Sequence, residues 1–247
     1  IEPDCIYGSD EVGFSTSLGQ KERVIGGKGK TVQHQVRDGN RENITVIPTI
    51  CADGTAIPPL VIFKGKAFQV RWLQDNPLNA SIGHSQKGWT DGEIGVEWIK
   101  HFDLYTKAKA HGQPRLLLVD GHNSHYTLAF LLYAIAAHIV VLCYGSHTTH
   151  VYQGLDVVVF GILKTFWREE RDRWERQGNK KVTKENFLII YSRAWIRTAT
   201  PEVVKSAFEK TGVWPLNRNR ISMQVMAPSR ETSYRGSLLF TPPSPVR

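Results

Sequence analysis

Cysteine is scarce in this chain: Cys5, Cys51 and Cys143 are all there is in 247 residues, odd in number and with no Cys-x-x-Cys spacing. A disulfide framework and a thiolate zinc cluster are thereby excluded, and the three read as buried free thiols of a reducing compartment, nucleus or cytosol. Long apolar runs are missing as well. No stretch approaches the eighteen or so apolar residues that a membrane-spanning helix needs, so no membrane partner is expected. A secretory leader and internal repeats are also lacking. Acidic residues fall short of basic ones, 23 against 31, which leaves a net charge of +8. That balance favours an anionic partner such as nucleic acid. The chain opens on Ile1 rather than Met, a few residues before its first predicted strand, and so reads as a piece of a longer protein.

What is present suffices for one substantial core, with 41% hydrophobic residues. Residues 4–10 read as a first strand. Ile44–Cys51 and Ile57–Lys64 are β-branched runs around Asp53-Gly54, a hairpin signal. Residues 65–89 show no clean periodicity and are expected to form an irregular insertion. Thr90-Asp91-Gly92-Glu93 has capping-box form, and Ile94, Trp98, Phe102 and Tyr105 follow at helical spacing. Arg115–Asp120 and Ile139–Tyr144 read as buried strands either side of a helix over 128–138. Helices are predicted over 156–177, 183–197 and 200–211, the last with Thr200 as cap and Pro201 in its first turn. The order predicts an α/β fold with a mixed sheet flanked by helices and a C-terminal helical extension. Residues 1–222 then form one domain, and 223–247, rich in Ser, Pro and Arg, a disordered tail.

Three aspartates stand out. Asp10 lies in Ser9-Asp10-Glu11-Val12-Gly13-Phe14, and Asp120 ends an apolar run in Asp120-Gly121-His122-Asn123-Ser124-His125. Asp156 opens an amphipathic helix after His147-Thr148-Thr149-His150-Val151-Tyr152-Gln153-Gly154-Leu155. Carboxylates gathered from such elements repel by a few kcal/mol per pair, roughly, unless cations neutralise them. Hard oxygen donors select magnesium or manganese.

These strings, with Ala207-Phe208-x-x-Thr211-Gly212-x-Trp214-Pro215-Leu216-Asn217, resemble the catalytic core of DDE-type transposases over about residues 4–222. More narrowly, they resemble the pogo/Tigger/jerky branch of the mariner superfamily, to which centromere protein B is related. The resemblance implies a ribonuclease-H-like fold. It also implies that Asp10, Asp120 and Asp156 are catalytic and hold two Mg2+ or Mn2+ ions, Asp10 bridging them. The implied activity is hydrolysis of DNA phosphodiesters at transposon ends, then strand transfer by the freed 3′-hydroxyl. Implied partners are double-stranded DNA, an upstream helix-turn-helix region and a second copy in a homodimer, and the implied location is the nucleus. A host DNA-binding or chromatin protein that descends from a transposase and keeps the fold without cleavage is the alternative. Gly145 and Gly154 depart from the branch, where proline is expected, and predict a looser loop around the third carboxylate.

His122, His125, His147 and His150 form two His-x-x-His pairs beside the aspartates. They read as packing or hydrogen-bonding support behind the carboxylates. A zinc hydrolase would show similar strings, but it leaves the Gln153-x-Leu155-Asp156 helix start and the basic helix after it unexplained. Glu11 rivals Asp10, yet strand alternation sends neighbours to opposite faces. Lys164, Arg168 and Arg171 are the surplus cations of a largely self-paired helix, and Lys28 and Lys30 lie in a Gly- and Lys-rich loop. All five are candidate contacts to DNA phosphate. The seven tryptophans read as core packing.

Overall fold

Strand β1 (Ile6–Ser9) has a neighbour on each side: β3 (Asn43–Cys51) antiparallel and β6 (Arg115–Val119) parallel. The computed structural model describes residues 1–16, 43–86, 88, 90, 92–120, 127–145, 148–178 and 181–221. Among these, seven strands form one mixed sheet: β5 (Ser81–Ser85), β4 (Ala56–Lys64), β3, β1, β6 and β7 (Ile139–Cys143) in that order, with β2 (Val12–Ser15) paired to β3 off that path. β4 (Ala56–Lys64) returns from β3 through the predicted Asp53-Gly54 turn, where Gly54 has φ +101°, a conformation that disfavours any side chain. β7 (Ile139–Cys143) lies parallel to β6 at one edge.

The opposite edge corrects the sequence reading. Residues 65–89 are not wholly irregular: Ser81–Ser85 form β5, parallel to β4. Ser-Ile-Gly-His-Ser has a single large apolar residue, so no alternation announces it. The strand at Ile139–Cys143 is also less buried than expected. Only Ile139 is buried there, and Val140, Leu142 and Cys143 are exposed along the edge. Cys5 and Cys51 are buried thiols as predicted, and Cys143 is not.

Helices cover both faces. α4 (Phe160–Gly178), α5 (Lys184–Thr198) and α6 (Pro201–Lys210) belong to one apolar core, built around Phe14, Trp167, Phe187 and Tyr191. Their rings meet at centroid separations of 5.0–6.0 Å, in the range of favourable aromatic pairs. α1 (Gly92–Thr106) and α2 (Leu128–Ala136) close the second core with Trp98, Phe102 and Phe130. Caps form where Thr hydroxyls accept the early amides, at Thr127 for α2 and Thr200 for α6, and Thr183 with Asn186 makes a reciprocal box on α5. The box expected of Thr90 does not form: its hydroxyl is buried without a hydrogen-bond partner among the described residues. This mixed sheet between two helical layers is the architecture that the sequence predicted.

Candidate active site

A proline opens the sheet at its centre. Ser9 pairs with Thr49 and Val12 with Val46, so β1 and β2 keep one register along β3, with Asp10 and Glu11 falling opposite Pro48 and Ile47. Pro48 has no amide hydrogen to give to a ladder. The β3–β4 register also slips between Ile47 and Thr49, the mark of a bulge. The ladder therefore lapses where Asp10 stands. Ser9 holds the near side of the gap, its hydroxyl donating to the Pro48 carbonyl at 3.1 Å and lying 2.9 Å from the Thr49 hydroxyl. Glu11, its backbone amide donating to the Asp10 carboxylate at 2.8 Å, lines the same small cavity as Asp10, together with Ser9, Thr90, Trp98 and Asp120.

Asp120 follows β6, whose Leu118 lies beside Gly8 in the register, so Asp10 and Asp120 emerge at the carboxyl ends of adjacent parallel strands. Ligand sites of α/β sheets gather at such ends. Asp156 comes from the other side, in a π-helical turn (Leu155–Val159) that leads into α4. Two contacts fix this turn. Gln153 is 1% exposed and its Nε2 donates to the Ser9 carbonyl at 3.0 Å, which ties the loop before Asp156 to the residue before Asp10. Gly154 lies so close to α6 that a Cβ there would stand 2.8 Å from the Ala207 carbonyl oxygen. This corrects the looser loop predicted from glycine at 154. The backbone of Gly154 is clamped, and its glycine is required by α6. Gly145 has space around it. The C-terminal string has a matching role: Thr211 bonds back to the Ala207 carbonyl at 3.0 Å, and Gly212, at φ +70°, turns the chain after α6.

The three carboxylates lie near enough to act on one another's charge. Burial, then the charge of Asp156, then those of Asp120 and Glu11 push the Asp10 carboxyl up to about 8, against a single opposing bond from the Glu11 amide at 2.8 Å. Asp156 is raised too, by partial shielding and by Asp120, while Lys164 and His150 pull the other way. Tyr144, just beyond β7, was not singled out from sequence. Burial and the Asp10 charge hold its phenol well above its usual range, which places it beside the cluster. The sign available in sequence was its position: an aromatic leaving a strand parallel to the one that delivers Asp120.

Three oxygen-bearing carboxyls of this kind suit a hard divalent cation, and the raised Asp10 is a mark of excess negative charge. Among the described residues, however, no three acidic, imidazole or thiol groups stand close enough to hold one ion as they are. The aspartates form an electrostatic cluster and not a closed cage.

The remaining predicted site residues divide. His150 is exposed and near enough to Asp156 to act on its charge. His122, His125, His147, Lys28 and Lys30 lie outside the described residues, as does 222–247. Lys164 is exposed beside Asp156, and Arg168 lies along α4 with its Nε donating to the Lys164 carbonyl at 3.2 Å. Arg171 is corrected. It is 4% exposed and pairs with Asp172 at 3.0 Å, so as it stands it is not open to a phosphate. Next to it, buried Glu170 binds Arg173 at 2.8 Å and Arg197 of α5 at 2.6 Å. That stretch of α4 fastens helix to helix.

Comparison with known proteins agrees with this fold. A family model described as DDE superfamily endonuclease matches residues 41–208. The chain is 35% identical over 222 residues to a protein of Cochliobolus lunatus named MFS-type transporter clz9, covering 87% of this chain and 24% of that protein. It is 23% identical over 177 residues to the human pogo transposable element with ZNF domain, covering 69% of this chain and 12% of that one. This chain thus spans a quarter or less of these relatives. No helix among the described residues is long and apolar enough to cross a membrane. The crystal structure of the Mos1 strand transfer complex superposes at a TM-score of 0.56 with 10% identity, over 85% of this chain and 52% of that one, a likeness of fold.

Proposed function

From the premise that this chain belongs to the DDE superfamily endonucleases, as a transposase catalytic domain of the mariner/pogo type, we propose that it cuts DNA with Asp10, Asp120 and Asp156. The observation that carries the reading is the mutual charging of these carboxylates at the carboxyl ends of β1 and β6, opposite the turn that begins α4. Asp10, Asp120 and Asp156 would hold two Mg2+ or Mn2+ ions. Such ions, when bound, polarise the phosphoryl group and make water a nucleophile at neutral pH. The protein's own part is to gather the acceptors. Since Asp10 keeps its proton up to about 8 in the protein alone, cation and proton compete for it, and loading releases that proton.

Double-stranded DNA is the proposed partner, met through phosphate contacts at Lys164 and, once its guanidinium turns outward, Arg168. Phosphate contacts position a duplex without reading its sequence. Recognition of a particular transposon end would come from a helix-turn-helix region elsewhere in a longer protein, and work on two ends from a homodimer. Strand transfer by the freed 3′-hydroxyl would use the same carboxylates, in the nucleus.

A second reading has its own observation. The aspartates do not close on a single ion as they stand, which suits a derived DNA-binding protein that has kept the fold and lost cleavage. Nicking of supercoiled plasmid in Mg2+ or Mn2+ decides between them. The catalytic reading expects nicking that falls by about 10³-fold in Asp10→Asn, Asp120→Asn and Asp156→Asn alike, given the several kcal/mol that metal ions supply. DNA binding with no nicking in either metal would establish the second reading. Full activity in any one variant would remove that residue from the site.

A further inference from the structure

β7 ends the sheet without the devices that usually guard an open edge. Natural edge strands carry a lysine, a proline, a bulge or a polar sequence that discourages pairing with another chain. At the opposite edge, β5 is Ser-Ile-Gly-His-Ser and exposes no large apolar side chain. β7 is Ile-Val-Val-Leu-Cys, runs beside β6 without a bulge, and among the described residues has no strand on its other side. Val140 and Leu142 are each 49% exposed. The backbone shows which groups point outward. The His138 carbonyl and the Tyr144 amide are turned toward β6, where they bond Arg115 and Val119. Strand groups alternate, so the amides and carbonyls of Ile139, Val141 and Cys143 face away from the sheet.

α2 shows the same anomaly one layer up. It packs on α1 and on β7, and its Tyr133 hydroxyl donates to Asp103 of α1 at 3.2 Å. Leu131 lies two residues, about 200°, round the helix from Tyr133, so it stands on the flank away from α1, past the edge of the sheet. Leu128, Leu132 and Ile135 share that side at helical spacing, and all four are exposed. With Val140 and Leu142 they present roughly 600 Å² of apolar surface about one edge. That is the upper limit of the largest patch on a typical monomer, and most of the about 800 Å² that one partner of a stable pair covers.

Charge points to the occupant. From Thr127 to Cys143 there is no Lys, Arg, Asp or Glu, although the chain carries a net charge of +8. Two copies of so basic a chain repel, and along this stretch they can touch without setting like charges against each other. We propose that a second copy of this chain covers this edge. β7 pairs antiparallel with its own counterpart about a two-fold axis at Val141, and the two α2 helices meet side by side over the joint. With the axis there, Val141 faces its counterpart and Ile139 faces Cys143 of the other copy, so each outward amide meets a carbonyl. On the face away from α2, Val140 comes beside Leu142 of the other copy. One operation thus covers the strand edge, the two exposed β7 side chains and the α2 stripe together. It gives the homodimer proposed above its surface, and rests on that reading for the need of two copies.

The test follows the full chain by sedimentation equilibrium and by amide hydrogen exchange at matched concentrations. A reversible pair is expected in the micromolar range. The Val141 and Cys143 amides are expected to gain protection as pairs form, while those of Val140 and Leu142, turned toward β6, stay protected throughout. Leu131→Lys and Leu142→Lys lie at exposed positions on opposite faces of the joint. Each is expected to weaken pairing by about tenfold or more, since it drives a lone charge into an apolar contact, and to free the Val141 amide. A chain that stays single at about 100 μM, where even a weak specific pair forms, overturns the proposal. Protection of Val141 and Cys143 that dilution does not change also overturns it, because another part of the chain then covers the edge. Pairing that neither variant weakens, or in which Val141 exchanges freely, overturns the joint and leaves the homodimer to another surface. If Leu142→Lys fails to fold, Leu131→Lys and the exchange of the original chain still decide. Nicking reports on the aspartates separately, so either reading can fail alone.

Discussion

Asp10 and Asp53 lie at opposite ends of β1, one just past its carboxyl end and the other in the turn beside its start, and the protein treats them in opposite ways. Asp53 is partly buried, which alone would raise it. The Lys109 ammonium, paired directly with it, and the Thr55 amide and hydroxyl at 2.9 and 2.7 Å outweigh that and hold it down at about 2. Asp10 is raised first by burial and then by the neighbouring acids, against one amide, and rises to about 8. A carboxylate that only needed to hold the fold together would be expected to look like Asp53. The lack of satisfaction at Asp10 costs stability, and such costs concentrate where a ligand relieves them.

Stability as a function of pH gives the largest test of that contrast. In the unfolded chain an aspartate titrates near 3.9. The raised carboxyl of Asp10 binds its proton more tightly in the folded chain, so its contribution is full below about pH 4 and is lost as pH climbs to about 8. Metal-free protein should therefore lose on the order of a few kcal/mol between those limits, roughly 10 °C in melting temperature. Asp10→Asn should remove most of that loss, and Mg2+ should offset it more at pH 8 than at pH 6. A melting temperature indifferent to both would erase the contrast.

Next in size is the clamp behind Asp156. Gly154→Ala forces a methyl against the Ala207 carbonyl and should cost about 1–3 kcal/mol in denaturant unfolding, whereas Gly145→Ala should stay within about 0.5 kcal/mol. Equal effects at the two glycines would show that α6 yields. At the satisfied end, Asp53→Asn should cost about 1–2 kcal/mol, allowing for solvent screening. Its sign is the reverse of that at Asp10. The lowered carboxyl contributes fully above about pH 4, and that contribution is lost as pH falls toward 2. The smallest effect concerns DNA. Lys164→Ala should reduce the log–log salt slope of binding by about 0.9, and Arg171→Ala should leave the slope alone while lowering stability. A change of slope at Arg171 alone would mean that it leaves Asp172 for the duplex.

Asp10, Asp120 and Asp156 could be singled out in the sequence because each sits in a short string that resembles a family motif; what those strings do in the fold, such as Gln153 holding the Ser9 carbonyl, depends on distant partners and was not readable there. Most helices and the β3–β4 hairpin were legible because periodicity, caps and turn residues are local. β5 was not, because its place depends on β4 offering an edge and not on its own five residues. The burial of Arg171 was not either, since it follows from how α4 packs in the core. Pro48, in the middle of an apolar run, was the available sign that the ladder beside Asp10 is interrupted.

The bond between Gln153 and Ser9 joins residues 144 positions apart, and β1 pairs with β6 more than a hundred residues downstream. Such closures are slow beside the formation of a hairpin like β3–β4. On refolding from denaturant, β-hairpin and helical signals should return before the backbone amides that pair β1 with β6 become protected from hydrogen exchange. A chain still emerging from the ribosome, with β6 not yet made, has no partner for the far side of β1 and no means of gathering the acidic cluster. Until β6 pairs with β1, nothing in the sheet brings Asp120 beside Asp10.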